Sequence, residues 1–388
     1  MRLIWQEIEA FSIAFMIKDD LFAGKNIRVG VIGVGAMGAI YARLLQEGKI
    51  PGAQLAAVGA TRQASLEPWK SLATFTDPGA LIHSGAADAV VIATPHYSHA
   101  PLSIAALKAG LHVLVEKPLT VKKSEAEQIV AAHRQTDCVF AIMFNQRTDP
   151  LYCRLREWTR AGLLGAVRRI QWTITDWFRP EIYYQSGNWR GTWAGEGGGV
   201  LMNQAPHQLD LWQWLFGMPA RVRAVGQTGR YHAIEVEDDV TAIFEYADGT
   251  VGVFVTTTGE TPGVNRLEIA AENGLVISEN RTLRFLKNQT PASEFSRIST
   301  QKFGKPAVEE KVETFPDTGS QHAGILGNFV EAIREGKPLI APGEEGLHSL
   351  ELANAMTVSL LQDKPVDLPM DAAEFTRLLD GLAGKSKS

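Results

Sequence analysis

The feature that most constrains the fold is a glycine-rich turn at residues 33–38, Gly-Val-Gly-Ala-Met-Gly. The turn follows the apolar run 27–32 directly, and a helical pattern over 37–48 comes after it. In such a strand–turn–helix unit the first glycine makes the tight turn and the second lets a pyrophosphate approach the main chain. The third glycine lets the helix pack on the strand, and the helix N-terminus offers N–H groups to phosphate. The pattern predicts a dinucleotide site, with an ordinary strand–helix turn as the alternative, and its candidate binding residues are Gly33, Gly35, Ala36, Met37 and Gly38.

Length, charge and cysteine content narrow the class of protein. A chain of 388 residues is too long for one small core, so we expect two domains. A net charge of −5 with no basic stripe argues against nucleic-acid binding, and no apolar run reaches the roughly 18–20 residues that a membrane span needs. Two cysteines, Cys138 and Cys153, can form neither a disulfide framework nor a zinc site, and no other metal site is expected. We expect a cytoplasmic protein, in which residues 1–25 are an N-terminal extension.

Strand and helix patterns alternate as far as about residue 145 and then change character. The alternation predicts a dinucleotide-binding Rossmann domain over residues 26–147, with a doubly wound parallel sheet. Residues 148–388 carry longer alternating strands and two late helical segments, which predicts an α+β domain on a large, mostly antiparallel sheet. The predicted strands are 27–33, 54–60, 88–93, 111–116 and 138–143 in the first domain, and 167–178, 221–227, 240–246, 251–257, 267–271 and 275–278 in the second. The step Ala-Asp-Gly at 247–249 predicts a hairpin turn between two of the later strands.

Polar residues stand at the ends of three predicted parallel strands, where open α/β sheets bind ligands. The second strand is followed by Thr61 and Arg62 instead of the carboxylate that binds the 2′-hydroxyl of NAD. An arginine there suits a 2′-phosphate, so we favour NADP over NAD, unless Arg62 is only a solvated loop residue. Further candidate cofactor contacts follow the next two strands: Thr94, Pro95, His96 and His99, then Glu116 and Lys117.

Two further residues have the chemistry of an alcohol oxidation. Lys117 ends a strand beside the expected nicotinamide, where its ammonium group can stabilise a developing alkoxide. After three glycines at 197–199, a predicted helix presents Asn203 and His207 four residues apart, with Asp210 continuing the same stripe. Histidine is the natural proton acceptor for this chemistry because its pKa lies near working pH. An isolated lysine or histidine of this kind is more often structural, and it is their combination that favours catalysis.

These motifs together resemble one family. The glycine turn, Thr94-Pro95, Glu116-Lys117-Pro118, the segment 197–210 and the late run 349–355 are similar to the glucose–fructose oxidoreductase, inositol dehydrogenase and rhizopine catabolism (Gfo/Idh/MocA) family. The resemblance covers about residues 26–370 and implies that Lys117 and His207 are the catalytic pair. It also implies an open-faced sheet whose outer face forms a homodimer or homotetramer. The chain departs from many family dehydrogenases at Asn203, where they carry aspartate.

The aromatic content suggests the walls of a substrate site. Sugar rings stack on aromatic side chains, and we expect Trp189 with Arg190 and Arg147 to contact substrate. About half of the local tryptophans should instead belong to the core, with Trp212 and Trp214 the first candidates. The tryptophans between residues 172 and 214 are Trp172, Trp177, Trp189, Trp193, Trp212 and Trp214, with Tyr183 and Tyr184 among them.

The predicted function is an NAD(P)-dependent oxidoreductase acting on a secondary hydroxyl or keto carbon of a sugar, inositol or glycoside. Lys117, Arg147, Trp189, Arg190, Asn203 and His207 are the candidate substrate contacts. A redox-assisted, NAD-dependent glycoside hydrolase and a non-catalytic nucleotide sensor are the alternatives.

Overall fold

A computed structural model describes residues 25–385 of the chain. The expected extension at residues 1–25 lies outside the described residues, apart from Lys25. The strands are β1 Ile27–Ile32, β2 Ala53–Gly59, β3 Ala73–Phe75, β4 Ala89–Ile92, β5 His112–Val115, β6 Phe140–Ile142, β7 Val167–Ile174, β8 Arg221–Thr228, β9 Glu237–Glu245, β10 Val251–Thr257, β11 Asn265–Ala271, β12 Gly274–Glu279, β13 Thr282–Asn288, β14 Val308–Thr314 and β15 Val366–Asp367.

The helices are α1 Ala36–Gln46, α2 Pro78–His83, α3 His99–Lys108, α4 Lys123–His133, α5 Pro150–Arg160, α6 Glu181–Gln185, α7 Val200–Asn203, α8 Pro206–Phe216, α9 Ala292–Ile298, α10 Gln321–Glu335, α11 Gly346–Gln362 and α12 Ala372–Lys385. No helix between residues 25 and 385 is long and apolar enough to cross a lipid bilayer.

The described chain divides into two compact units that are not contiguous in sequence. The first contains residues 25–119, Gln128–Asn145 and Ser320–Glu345, and the second contains Thr120–Glu127, Gln146–Gly319 and the residues from Gly346 onward. The chain therefore returns to the first unit for α10, which packs against β5 and α1. The predicted second domain included this helix, because the apolar periodicity of its sequence shows that one face is buried but does not show against which sheet.

The first unit is a doubly wound α/β fold, as predicted. Its six strands are all parallel, in the order β3-β2-β1-β4-β5-β6. The inner strands are apolar on both faces because helices cover both faces of such a sheet, and Val29, Val31 and Val90 are fully buried. The short strand β3 and the short helix α2 were not predicted from the sequence.

The second unit contains a nine-stranded sheet in the order β14-β13-β12-β11-β7-β10-β9-β8-β15. All its pairs are antiparallel except β7 with β10, which confirms the mostly antiparallel α+β domain. The predicted hairpin turn at 247–249 joins β9 to β10, with Gly249 at φ +88°. Strands β13, β14 and β15 were not predicted.

Trp212 of α8 anchors the helices of the second unit on this sheet. Its indole is fully buried and lies edge-to-face on Phe244, with ring centroids 4.8 Å apart. A Cβ at Gly252 would lie 2.4 Å from this indole, so the small residue on β10 makes room for the large one on α8. This packing holds α8, the helix that contains His207, against the sheet.

Candidate functional site

The glycine turn of the first unit forms an open cradle at the start of α1. Gly33 has φ +89°, which favours glycine, and a Cβ there would lie 2.6 Å from the Ala93 carbonyl oxygen. A Cβ at Gly38 would lie 1.8 Å from the Gly33 oxygen, so α1 packs directly on the turn. Gly35 differs, because apart from Gly35 and its two chain neighbours no described residue lies within 4 Å of the position its Cβ would take. The cradle therefore has the open approach at Gly35 that a pyrophosphate requires.

The first turn of α1 is suited to an anion. Its N-cap residue is Gly35, which has no side chain that could cap the helix, and the first turn contains no acidic residue. The N–H groups at this end of an 11-residue helix therefore remain available to phosphate oxygens, with the positive end of the helix dipole behind them. Ala36 is exposed and Met37 half-buried at this end.

The ends of β1, β4 and β5 bring the remaining cofactor candidates to the same sheet edge. The strand register pairs Ile32 with Ile92 and Ile92 with Val115, so the residues that follow these strands lie side by side. The Thr94 hydroxyl is buried there without a hydrogen-bond partner among the described residues. Buried hydroxyls normally have a partner, so this atom fits a site completed by a bound nucleotide. Lys117 is half-buried at the same edge.

His99 joins the loops that follow β4 and β5. Its ring is fully buried, with Nδ1 2.8 Å from the Pro118 carbonyl oxygen and Nε2 2.8 Å from that of Thr94. Burial lowers the pKa of His99, and the nearby charge of Lys117 lowers it further. His99 was predicted as a cofactor contact, but with both ring nitrogens facing main-chain oxygens its contribution would be indirect. Its neighbour His96 is also buried, whereas Pro95 is exposed.

Glu116 holds the main chain at Lys117 in place. The Tyr41 hydroxyl of α1 donates to one carboxyl oxygen of Glu116, and the Lys117 N–H donates to the other at 3.0 Å. Burial raises the pKa of Glu116, an effect that the Lys117 charge and the Tyr41 bond oppose. Since both carboxyl oxygens are bonded inside the protein, Glu116 fixes the position of Lys117 relative to α1.

His322 is a further titratable group near Lys117 in the first unit. Its ring lies 5.9 Å from that of Tyr41, centroid to centroid, at the start of α10. Burial lowers the pKa of His322, and the charge of Lys117 adds to this effect. His322 was not among the predicted site residues, and some 200 residues separate it from Lys117 in the chain.

In the second unit the three glycines before α7 lie against neighbouring segments too closely for any side chain. Gly197 has φ +82°, and a Cβ there would lie 2.3 Å from Val121 Cγ1. A Cβ at Gly199 would lie 1.9 Å from the Glu237 carbonyl oxygen. The side chain of Glu237, fully buried at the start of β9, accepts N–H bonds from Gly199 at 2.8 Å and Leu201 at 3.2 Å. Burial raises the pKa of Glu237 to about 7, and this residue was not predicted.

Asn203 and His207 lie on two short helices instead of one. Asn203 is the last residue of α7, and His207 is the second residue of α8, which begins at Pro206 because proline lacks an N–H for the helical ladder. The residues between them keep right-handed helical angles, so the four-residue spacing still places both side chains on one face. Both side chains are half-buried. The Asn203 amide donates to the buried carboxylate of Glu196 and, at 3.1 Å, to the Tyr183 hydroxyl.

Arg147 and Asp210 form a buried ion pair. Arg147 Nε lies 2.9 Å from one Asp210 carboxylate oxygen, and Arg147 Nη2 lies 2.6 Å from the other. The Arg147 side chain is 1% exposed and that of Asp210 is 2% exposed. A guanidinium out of water needs such a carboxylate, because an unpaired buried charge is very costly. The pairing commits Arg147 to Asp210 and so does not favour the predicted contact of Arg147 with substrate, which stays a prediction. Asp210 serves this pair instead of extending the stripe of Asn203 and His207.

Of the six tryptophans between residues 172 and 214, three are buried and three are half-buried. Trp172, Trp193 and Trp212 are at most 4% exposed, which confirms the core position predicted for Trp212. The other three are half-buried: Trp177, Trp189 and Trp214. Trp214, also expected in the core, lies beneath Arg156, whose guanidinium carbon is 4.1 Å from the ring centroid. The Arg190 guanidinium covers Trp189 at 4.4 Å, so this predicted pair is in contact.

Comparison with known proteins identifies the family. The model of the oxidoreductase family with an NAD-binding Rossmann fold, GFO/IDH/MocA, matches residues 27–144. The GFO/IDH/MocA C-terminal domain matches residues 152–277. The chain belongs to the GFO/IDH/MocA family. It is thus an oxidoreductase of the dehydrogenase type, and the resemblance drawn from its motifs is confirmed.

Relatives within the family differ in how much of their length this chain covers. The uncharacterized oxidoreductase YdgJ of Escherichia coli is 34% identical over 54% of this chain and 61% of its own length. Myo-inositol 2-dehydrogenase of Thermotoga maritima is 24% identical over 88% of this chain and 98% of its own length. The WlbA dehydrogenase from Bordetella pertussis, solved with NADH and UDP-GlcNAcA, is 25% identical with a TM-score of 0.74, covering 89% of this chain and all of that one.

Family membership establishes an NAD-binding fold without deciding between NAD and NADP. Thr61 and Arg62 are exposed immediately beyond β2. The segment 60–66 contains no carboxylate, so the usual partner of the 2′-hydroxyl of NAD is absent at this tip. The guanidinium of Arg62 is accessible there to a ligand.

Proposed function

We propose that this GFO/IDH/MocA protein interconverts a secondary alcohol and a ketone on a sugar, inositol or glycoside. The observation that carries the proposal is the position of Lys117, half-buried at the sheet edge that also holds the open glycine cradle. A cation at this edge suits the oxygen of a carbon that exchanges hydride with a nicotinamide. Relatives named as inositol dehydrogenases support the choice of polyols as substrates.

The proposed mechanism divides the work between two side chains. A bound nicotinamide supplies the hydride acceptor for oxidation and the donor for reduction. In the oxidation, Lys117 donates hydrogen bonds to the alcohol oxygen and stabilises the negative charge that develops on it. His207 accepts the hydroxyl proton as the carbonyl forms, and returns it in the reverse direction. Asn203 is not an acid or a base, so its proposed role is to hydrogen-bond a neighbouring substrate hydroxyl, with Trp189 and Arg190 forming part of the sugar-binding wall.

Binding of the cofactor is proposed to use the cradle and the strand ends. Gly33, Gly35, Gly38 and the first N–H groups of α1 would hold the pyrophosphate. Thr94, with its buried hydroxyl, would meet the nicotinamide half. We further propose a preference for NADP, because Arg62 is exposed where a 2′-phosphate would lie and no carboxylate there would repel it.

A homo-oligomer is also proposed, from the outer face of the second sheet. Val225, Ile243 and Val251 are large apolar residues on adjacent strands, each at least 40% exposed. The strand register places all three on the face opposite to the buried residues of the same strands. Light scattering coupled to size-exclusion chromatography measures the assembly directly, and a monomer would contradict this proposal.

The function is tested by turnover and nucleotide binding together. Purified protein is mixed with NAD or NADP and a panel of aldoses, inositols and glycosides, and reduced nicotinamide is followed by absorbance. The Lys117→Ala variant should bind nucleotide normally and lose kcat by about 10²–10³-fold, the range found when one charge-stabilising group is removed. Lys108→Ala, at the exposed end of α3, is the matched control.

Other outcomes would replace the proposal. Unchanged turnover in Lys117→Ala would remove the lysine from the mechanism. Release of free sugar from a glycoside without net reduced nucleotide would indicate redox-assisted hydrolysis instead. Nucleotide binding without turnover on any polyol or keto-polyol would indicate a sensor.

A further inference from the structure

Three N–H groups converge on one phenol oxygen in the second unit. The Tyr183 hydroxyl lies 2.6 Å from Arg190 Nη1, 3.1 Å from Asn203 Nδ2 and 3.3 Å from Gln204 Nε2. These three side chains come from the loop before the glycines and from the end of α7. Such a convergence is unusual, because a neutral phenol oxygen has only two lone pairs and also carries a proton of its own.

The direction of the two shorter bonds is fixed by chemistry. A guanidinium has no acceptor atom, so Arg190 can only donate to Tyr183. The Asn203 amide nitrogen also faces a carboxylate oxygen of Glu196, which is 1% exposed and can only accept when ionised. That contact orients the amide so that its NH2 group, and not its oxygen, points at Tyr183. The Tyr183 oxygen therefore acts as an acceptor towards both residues.

The proton of Tyr183 is consequently directed away from this cluster. Each of its three hydrogen-bond partners approaches with nitrogen, and no residue in the described part of the chain accepts the Tyr183 O–H. The ring itself is held on several sides. The Arg190 guanidinium carbon lies 4.3 Å from its centroid and that of Arg179 lies 5.0 Å away, while the Tyr184 ring contacts it edge-on at 5.1 Å. The result is a hydroxyl donor held in place by its neighbours, with no acceptor for its proton among the described residues.

We propose that Tyr183 donates this hydrogen bond to a second oxygen of the substrate, and so selects vicinal polyols over simple secondary alcohols. The proposal rests on the proposed function and extends it, because it requires a substrate with an acceptor oxygen beside the carbon that is oxidised. Asn203, which bonds Tyr183 and lies four residues before His207, places this donor next to the residue proposed to move the proton. Tyr183 is therefore a specificity-determining residue, not the proton acceptor of the reaction.

The test combines a variant of the enzyme with a variant of the substrate. Tyr183→Phe removes only the hydroxyl, and the probes are myo-inositol, D-glucose and methyl β-D-glucoside with their monodeoxy analogues. We expect Tyr183→Phe to lower kcat/KM by about 10–100-fold for a hydroxylated substrate. For the analogue that lacks the recognised hydroxyl, kcat/KM should be the same in variant and parent. Tyr184→Phe is the matched control, because the Tyr184 hydroxyl already bonds Thr258 Oγ1 at 2.8 Å and should not discriminate between the two substrates.

Binding of the same probes to the NADH- or NADPH-loaded protein, measured by calorimetry, separates this inference from the proposed function. A selective loss of affinity in Tyr183→Phe without any turnover in the parent would refute the proposed reaction and support the inference. Equal losses for the hydroxylated and deoxy probes would overturn it, since a structural role of Tyr183 affects both alike. Failure of every probe to bind the loaded parent protein would also overturn it.

Discussion

The buried carboxyl of Glu237 makes a quantitative prediction about stability and pH. Its side chain is fully buried against the glycine segment, and burial raises its pKa from 4.5 to about 7. Each tenfold difference in proton affinity corresponds to about 1.4 kcal/mol. Above pH 7 the ionised Glu237 is therefore expected to cost the folded protein about 3 kcal/mol relative to a carboxyl in the unfolded chain.

The sign follows from which state holds the proton more tightly. Because the folded state has the higher pKa, the contribution of Glu237 to stability is fully present below about pH 4.5 and is lost as the pH rises to about 7. Glu237→Gln imitates the protonated form and can still accept the N–H bonds of Gly199 and Leu201 through its amide oxygen. The free energy of unfolding of this variant minus that of the parent should therefore be about 2–3 kcal/mol larger at about pH 8 than at about pH 5.

Denaturant unfolding followed by tryptophan fluorescence at the two pH values measures this difference, since Trp172 and Trp212 are buried in the same unit. Glu245→Gln is the control, because it removes the same charge from an exposed position on the same strand, β9. If the stability difference between Glu237→Gln and the parent were equal at both pH values, the argument that burial raises the pKa of Glu237 would be refuted.

Two further predictions concern charges elsewhere in the chain. Asp210→Ala leaves Arg147 buried without its carboxylate and should lower the free energy of unfolding by about 3–5 kcal/mol. The double variant Arg147→Met with Asp210→Leu should recover much of that loss in the same denaturation assay, and no recovery would contradict the ion-pair interpretation. Arg62→Asp should lower the ratio of kcat/KM for NADP to that for NAD by at least about tenfold, since a carboxylate repels a 2′-phosphate. An unchanged ratio would show that Arg62 does not discriminate between the nucleotides.

Features whose physical cause is local could be read directly from the amino-acid sequence. Glycines at 33–38 between an apolar run and a helical pattern specify a turn that only glycine can make, and the cradle formed as predicted. Alternation of strands and helices gave the parallel sheet, and the turn at 247–249 gave a hairpin with the expected pairing. Each of these depends on neighbours in the chain, so the residues themselves carry the information.

Contacts between side chains that are far apart in the chain became visible only in the folded protein. Arg147 and Asp210 are 63 residues apart, and nothing in either segment shows that they form a buried ion pair. The same holds for Glu237, which fixes a glycine segment 38 residues earlier, and for α10, which packs against β5, about 200 residues before it. Periodicity shows that one face of an element is buried, but the partner of that face depends on how the whole chain packs.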